Sequence, residues 1–146
     1  MKNLTRLIPV FLSAILISCT TNHSSDNQNQ ATLIGVENAR IVKVSLSADE
    51  FEKKLNQSNS DQLVDVRTPD EYSKSHLKGA LNFDINDQNF EKQITKLNKT
   101  KAVFLYCHSG RRSARAADFL AANGFTIIYD LQGGISAWLE SNKPLN

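Results

Sequence analysis

This sequence predicts an α/β fold, a small parallel sheet of about five strands with helices on both faces, on three observations. Short runs rich in β-branched residues alternate with segments of helical periodicity across the second and larger part of the chain. One run, Val103-Phe104-Leu105-Tyr106, is apolar at every position, as in a strand buried on both faces. Capping signals open the helical segments, and a glycine closes one of them. In such a sheet ligands gather at the carboxyl ends of the strands, so the residues after Tyr106 are the place to look.

Taken in order, Ile41 to Val44 forms the first strand. Ser47 then offers an N-cap with Glu50 as its capping-box partner, and Phe51 and Leu55 follow at helical spacing. Leu63 to Val66 is the second strand. Thr68-Pro69-Asp70-Glu71-Tyr72 is a helix start, with a capping Thr, Pro in the first turn and two acids beside it. Ala80 to Phe83 is a short third strand, and Phe90, Ile94 and Leu97 share the face of a helix. Val103 to Tyr106 is the fourth strand. The Ala-rich stretch Arg112 to Ala122 is helical and Asn123-Gly124 stops it. Phe125 to Tyr129 is the last strand, and Gly133-Gly134 opens a helix carrying Ile135, Trp138 and Leu139. Phe104, Phe119 and Trp138 belong to the core, and the two glycines serve close backbone approach.

The composition fits one globular domain: 146 residues, 40% apolar and 22% charged. The amino-terminal end has a different character. Lys2 and Arg6 precede a short, mostly apolar stretch, Leu7 to Ile17, which is too short to span a bilayer and has signal-peptide proportions. Leu16-Ile17-Ser18-Cys19 resembles the bacterial lipobox, which implies cleavage before Cys19 and acylation of that cysteine. The expected organisation is a lipoprotein signal peptide over 1–18, a lipidated Cys19 and polar tether over 19–38, and a folded domain over 39–146. The chain would then sit in a bacterial cell envelope, facing the periplasm or exterior and touching the membrane through its lipid anchor only.

Seventeen Lys and Arg face fifteen Asp and Glu, and removal of Lys2 and Arg6 brings the balance to zero. A neutral chain has no global field to attract nucleic acid, so nucleic-acid binding is not expected. Two cysteines, Cys19 and Cys107, exclude a disulfide framework and a cysteine-rich zinc site.

Cys107-His108-Ser109-Gly110-Arg111-Arg112-Ser113 follows the fourth strand. A cysteine at a strand end, ahead of a helix start, meets orphan N–H donors and positive potential. Arg111, Arg112 and Arg115 add three cations, with no acid between Cys107 and Arg115. Each effect favours thiolate over thiol, and so an anionic nucleophile in an anion-binding loop. A buried, inert cysteine is the alternative that the residues alone leave open.

Four motifs in order resemble those of the rhodanese domain. Leu63-Val64-Asp65-Val66-Arg67-Thr68-Pro69-Asp70-Glu71-Tyr72 is similar to its Asp-Val-Arg…Glu-Tyr signature, and Ser75-His76-Leu77-Lys78-Gly79-Ala80-Leu81-Asn82 to its Gly-His-Ile-Pro-Gly-Ala-x-Asn segment. Cys107 to Ser113 is similar to its active-site loop, and Leu131-Gln132-Gly133-Gly134-Ile135-Ser136-Ala137-Trp138 to its closing motif. The resemblance implies sulfur transfer that needs neither a metal nor an organic cofactor. The Cys107 thiolate takes sulfur from a small anionic donor such as thiosulfate, and passes it to cyanide or a thiol, a thioredoxin-like protein among the candidates. It also implies that main-chain amides from His108 through Ser109 and Gly110 to Arg112 surround the sulfur, and that Arg111 and Arg112 attract the donor.

The spacing Cys-x4-Arg favours this chemistry over that of phosphatase or arsenate-reductase-like loops, which resemble Cys-x5-Arg and enclose a larger group. A non-catalytic or sulfur-carrying module is the rival from another class. Ser75 and Lys78 stand where the family pattern has Gly and Pro, in a segment that shapes a turn. His108 and Ser109 stand where some thiosulfate-using members carry Arg and Lys, which leaves the donor open. His108 is either a proton donor or a rim residue, and His76 a hydrogen-bonded turn residue. Asp65 and Arg67 share a sheet face at i, i+2 spacing and are expected to brace the loop, with Arg67 reaching Glu71 as well.

Overall fold

The computed structural model describes residues 40–58 and 62–146; the expected signal peptide, Cys19 and the expected tether lie outside the described residues. Five parallel strands form one sheet in the order β1-β5-β4-β2-β3. They are β1 (Val42–Leu46), β2 (Leu63–Asp65), β3 (Leu81–Asn82), β4 (Val103–Tyr106) and β5 (Ile127–Leu131). The helices between them are α1 (Ala48–Gln57), α2 (Pro69–Lys74), α3 (Phe90–Ile94), α4 (Arg111–Ala122) and α5 (Gly134–Glu140). Among the described residues no helix is long and apolar enough to cross a membrane.

Local chemistry sets the starts of the first two helices. Ser47 and Thr68 each accept from the amide three residues on, while Glu50 and Glu71 reach back to the cap amides, so both capping boxes are closed. Alternation along β4 then builds two cores. Val103 and Leu105 pack with Val64, Ala116, Ala117 and Leu120 under α3 and α4. Phe104 and Tyr106 pack with Phe51, Leu131 and Trp138 under α1 and α5. The Phe51 and Phe104 rings meet edge to face at a centroid distance of 5.4 Å.

Several boundaries differ from the sequence reading. The last strand begins at Ile127 rather than Phe125. Phe125 belongs to the turn that ends α4: its amide donates to Leu120 O at 3.1 Å and the Gly124 amide to Ala121 O at 3.3 Å. This Schellman pairing buries the Phe125 ring at the helix end and delays the strand by two residues. β1 runs on to Leu46 because it pairs with β5 through Leu131. Leu97 falls beyond α3, yet still packs on the α4-side core, and Phe119 is only half buried at its margin.

Candidate active site

β4 delivers Cys107 to the sheet's carboxyl end on the α4 side, where it is 1% exposed. Gly110 then turns the chain at φ +89°, a conformation that glycine adopts without strain, and α4 begins at Arg111, one residue earlier than the sequence suggests. The Gly110 amide donates to the Cys107 Sγ at 3.1 Å, and the Ser113 hydroxyl lies 3.6 Å from the same sulfur. Burial opposes the charged form of the thiol. The amides of Ser113, Ser109 and Arg112 and the Ser113 hydroxyl more than offset it, so the Cys107 pKa lies below the ordinary thiol value. The donors therefore extend to Ser113, one residue beyond the expected range. Nothing in the composition marked that serine, but its place on the first turn of α4 faces it inward, where it is fully buried.

The carbonyl side of the loop is held by the last helix. Ile135 N donates to Cys107 O at 2.8 Å and Ser136 N to His108 O at 3.2 Å. Gly134 is required at this junction, since a Cβ there would stand 2.3 Å from Cys107 O. With the carbonyls occupied behind, the loop amides turn toward the sulfur.

A cavity of about 460 Å³ opens over the loop and is lined by His108, Ser109, Arg111, Arg112 and Arg115. Arg111 and Arg115 are exposed and make no ion pair among the described residues. Arg112 is held differently. Its two terminal nitrogens donate to the two Glu71 oxygens, both at 2.7 Å. Arg112 pulls the Glu71 pKa down to about 2. His108 is exposed at the rim, and its side chain makes no hydrogen bond among the described residues. His76 is the turn residue expected, with Nδ1 3.0 Å from Tyr72 O and its ring stacked on Tyr72 at 3.9 Å.

Asp65 and Arg67 form a pair, but they do not brace the cysteine loop. Alternation along β2 puts Asp65 on the α1 side of the sheet, opposite Tyr106 and away from Cys107. Arg67 donates from Nε to both Asp65 oxygens at 2.9 Å and from Nη2 to Oδ2 and Ser75 O, each at 2.6 Å. The guanidinium lies over the Tyr106 ring, and the pair fixes the turn after α2. Arg67 does not reach Glu71, because Glu71 is engaged by Arg112 and by the cap of α2. Among the described residues no group of three or more His, Cys, Asp or Glu comes together in a way that could hold a metal ion.

The family model of the rhodanese-like domain matches residues 47–141, a span that contains the loop, both arginine pairs and α5. The chain belongs to the rhodanese-like domain family. This rhodanese-like chain is 38% identical over 99 residues to the uncharacterised protein YqhL of Bacillus subtilis, covering 68% of this chain and 74% of that protein. It is 33% identical to the thiosulfate sulfurtransferase GlpE of Shewanella oneidensis over 88 residues, 60% of this chain and 85% of that one. Among solved structures it superposes on the polysulfide-sulfur transferase homodimer of Wolinella succinogenes with a TM-score of 0.60 at 32% identity. That match covers 71% of this chain and 78% of the Wolinella chain.

Proposed function

We propose that the protein is a sulfurtransferase that carries sulfane sulfur on Cys107, taken from thiosulfate or a related small anion. The observation that carries this reading is the sulfur itself: buried, under main-chain donors that favour its anion, in the loop whose next residues, His108 and Ser109, line a cavity with Arg111 and Arg115, both unpaired among the described residues. The thiosulfate sulfurtransferase relative supports the donor class.

In the first half-reaction the Cys107 thiolate attacks the outer sulfur of thiosulfate. A Sγ–S bond forms, the S–SO3 bond breaks, and sulfite leaves with the bonding pair, so charge is conserved. In the second, cyanide or a thiolate attacks the outer sulfur of the persulfide; the pair returns to Sγ, and thiocyanate or an acceptor persulfide departs. The loop amides favour the anion in both resting forms, so the nucleophile is present as thiolate without a separate base. Arg111 and Arg115 draw the donor's sulfonate end to the mouth. Arg112, neutralised by Glu71, serves less as a free cation than as a strut.

Intact mass measurement after thiosulfate treatment tests the proposal: one added sulfur on Cys107 is expected, absent from Cys107→Ser. Thiocyanate release with cyanide should vanish in the same variant, and the donor KM should rise in Arg111→Ala. A persulfide that forms but passes only to a protein thiol would make the chain a sulfur carrier instead. No adduct at Cys107 ends both readings.

A further inference from the structure

Two histidines stand among the described residues, and the structure treats them differently. His76 is spent on the fold: Nδ1 lies 3.0 Å from Tyr72 O, Nε2 lies 3.2 Å from the Asn146 side-chain nitrogen, and the ring stacks on Tyr72. His108 is exposed, and its imidazole makes no hydrogen bond among the described residues. Its main chain is far from free. Ser136 donates to His108 O from its amide at 3.2 Å and from its hydroxyl at 3.0 Å. The Gly134 backbone packs so close that a Cβ there would stand 2.6 Å from the same oxygen. The backbone of His108 is therefore pinned while its ring is left unspent, next to the nucleophile in the chain and on the wall of the cavity. The other residues of that wall cannot exchange a proton near neutrality. Arg111, Arg112 and Arg115 keep theirs, and Ser109 brings a hydroxyl. Glu71, the carboxylate that reaches this end of α4, is committed to Arg112 and to the cap of α2. Imidazole is the side chain that gains and loses a proton in this range.

The two half-reactions ask different things of a proton. Thiosulfate arrives as a full anion and sulfite leaves as one, so loading needs no proton transfer. Delivery to a thiol does, because an ordinary thiol holds its proton at neutral pH and must shed it to attack. We propose that the acceptor is a thiol and that His108 is the catalytic residue that moves its proton during sulfur delivery. The imidazole takes the proton as the acceptor sulfur closes on the outer sulfur of the Cys107 persulfide. A new S–S bond forms, the Sγ–S bond breaks, and its pair returns to Sγ. The imidazolium then gives the same proton to the outer sulfur, which departs on the acceptor as a neutral persulfide. Charge and protons balance, no oxidant or reductant enters, and the ring is restored for the next turn. The guanidiniums of Arg111 and Arg115, unpaired among the described residues, favour the acceptor thiolate as it develops.

The proposal rests on sulfur transfer through Cys107, and its test separates the two. The wild type, His108→Ala and His108→Gln are loaded with thiosulfate until intact mass shows one added sulfur, freed of excess donor, and mixed with acceptor at about pH 8. Single-turnover loss of that sulfur is followed with 2-mercaptoethanol, which is still protonated there, and with trifluoroethanethiol, which is largely ionised. Relative to the ionised thiol, the protonated one should lose on the order of a hundredfold in both variants. Imidazole added to His108→Ala should restore part of that loss. A ratio between the two thiols that is the same in all three proteins overturns the proposal, since a residue that only shapes the rim slows both acceptors alike. A second comparison needs no variant: a wild type that prefers the ionised thiol as strongly as a free persulfide in solution does is equally fatal. If no persulfide forms, the sulfurtransferase reading falls before any acceptor is added, and this proposal falls with it. A persulfide that forms and then fails the acceptor comparison removes this proposal alone.

Discussion

Two acid–arginine pairs flank the sheet's carboxyl end, and they differ in nearly everything except their chemistry. Asp65–Arg67 is buried, its side chains 0% and 5% exposed, and it spends its hydrogen bonds on one turn of the backbone. Glu71–Arg112 is part exposed, at 32% and 25%, and joins α2 to the first turn of α4 beside the cavity. The first pair is a fixture of the fold, because removing either partner strands a charge away from water. The second is soft and screened, so it can be altered without unfolding the chain, and it decides how many cations the mouth offers an anion. Asp130 extends the comparison to an acid with no arginine at all, and the result there is a carboxyl inclined to keep its proton.

The largest expected effect comes from breaking the buried pair. Asp65→Ala leaves Arg67 buried with the Ser75 carbonyl as its remaining acceptor, and should cost about 3–5 kcal/mol in urea denaturation. A loss under about 1 kcal/mol would mean that water reaches this pair and that the contrast drawn above is wrong.

Next in size is the acid without a cation. A folded pKa of about 6, against 3.8 for an unperturbed Asp, means that the folded chain holds the proton more tightly than the unfolded chain. The protonated carboxyl is tolerated fully below about pH 4, and stability is lost as pH rises through about 6. Asp130→Asn removes that loss, so it should stabilise the protein by about 2–3 kcal/mol at pH 8 relative to its effect at pH 4. An equal effect at both pH values would show that Asp130 is not perturbed by burial.

The smallest effect belongs to the soft pair. Because Arg112 holds the Glu71 pKa near 2, the contribution of Glu71 is present above about 4.5 and lost as pH falls toward 2. At 32% exposure it is discounted for screening, so Glu71→Gln should cost about 1 kcal/mol at pH 7 and less in high salt. Its sharper signature is a lower KM for an anionic donor, since Arg112 is freed to join Arg111 and Arg115. A raised KM would show instead that Arg112 must be held in place to serve.

The strand and helix alternation was legible because each element carries its own signal: capping boxes at Ser47 and Thr68, the apolar run of β4, Gly124 after α4. Cys107 and its amides were legible for the same reason, since the loop is continuous in sequence. Contacts between distant segments were not. Arg67 lies four residues before Glu71, a spacing that suggests a helical pair, but Arg67 precedes the cap of α2 and turns to the other side of the sheet. Asp130 was hidden by register. With the last strand read as ending at Tyr129, the acid falls in a loop; the Schellman turn at Phe125 carries it into the sheet and under α4.

The grip of α5 on the loop has a consequence for how the chain matures. The donors that acidify Cys107 face the sulfur because Ile135 and Ser136, nearly thirty positions downstream, hold the carbonyls of Cys107 and His108 from behind. A nascent chain that stops short of these residues has the cysteine and the arginines but not the oriented amides. Its thiol should then react as an unactivated one. Reactivity is expected to arrive with the final helix, so that the sulfur becomes nucleophilic in the same state in which it is enclosed.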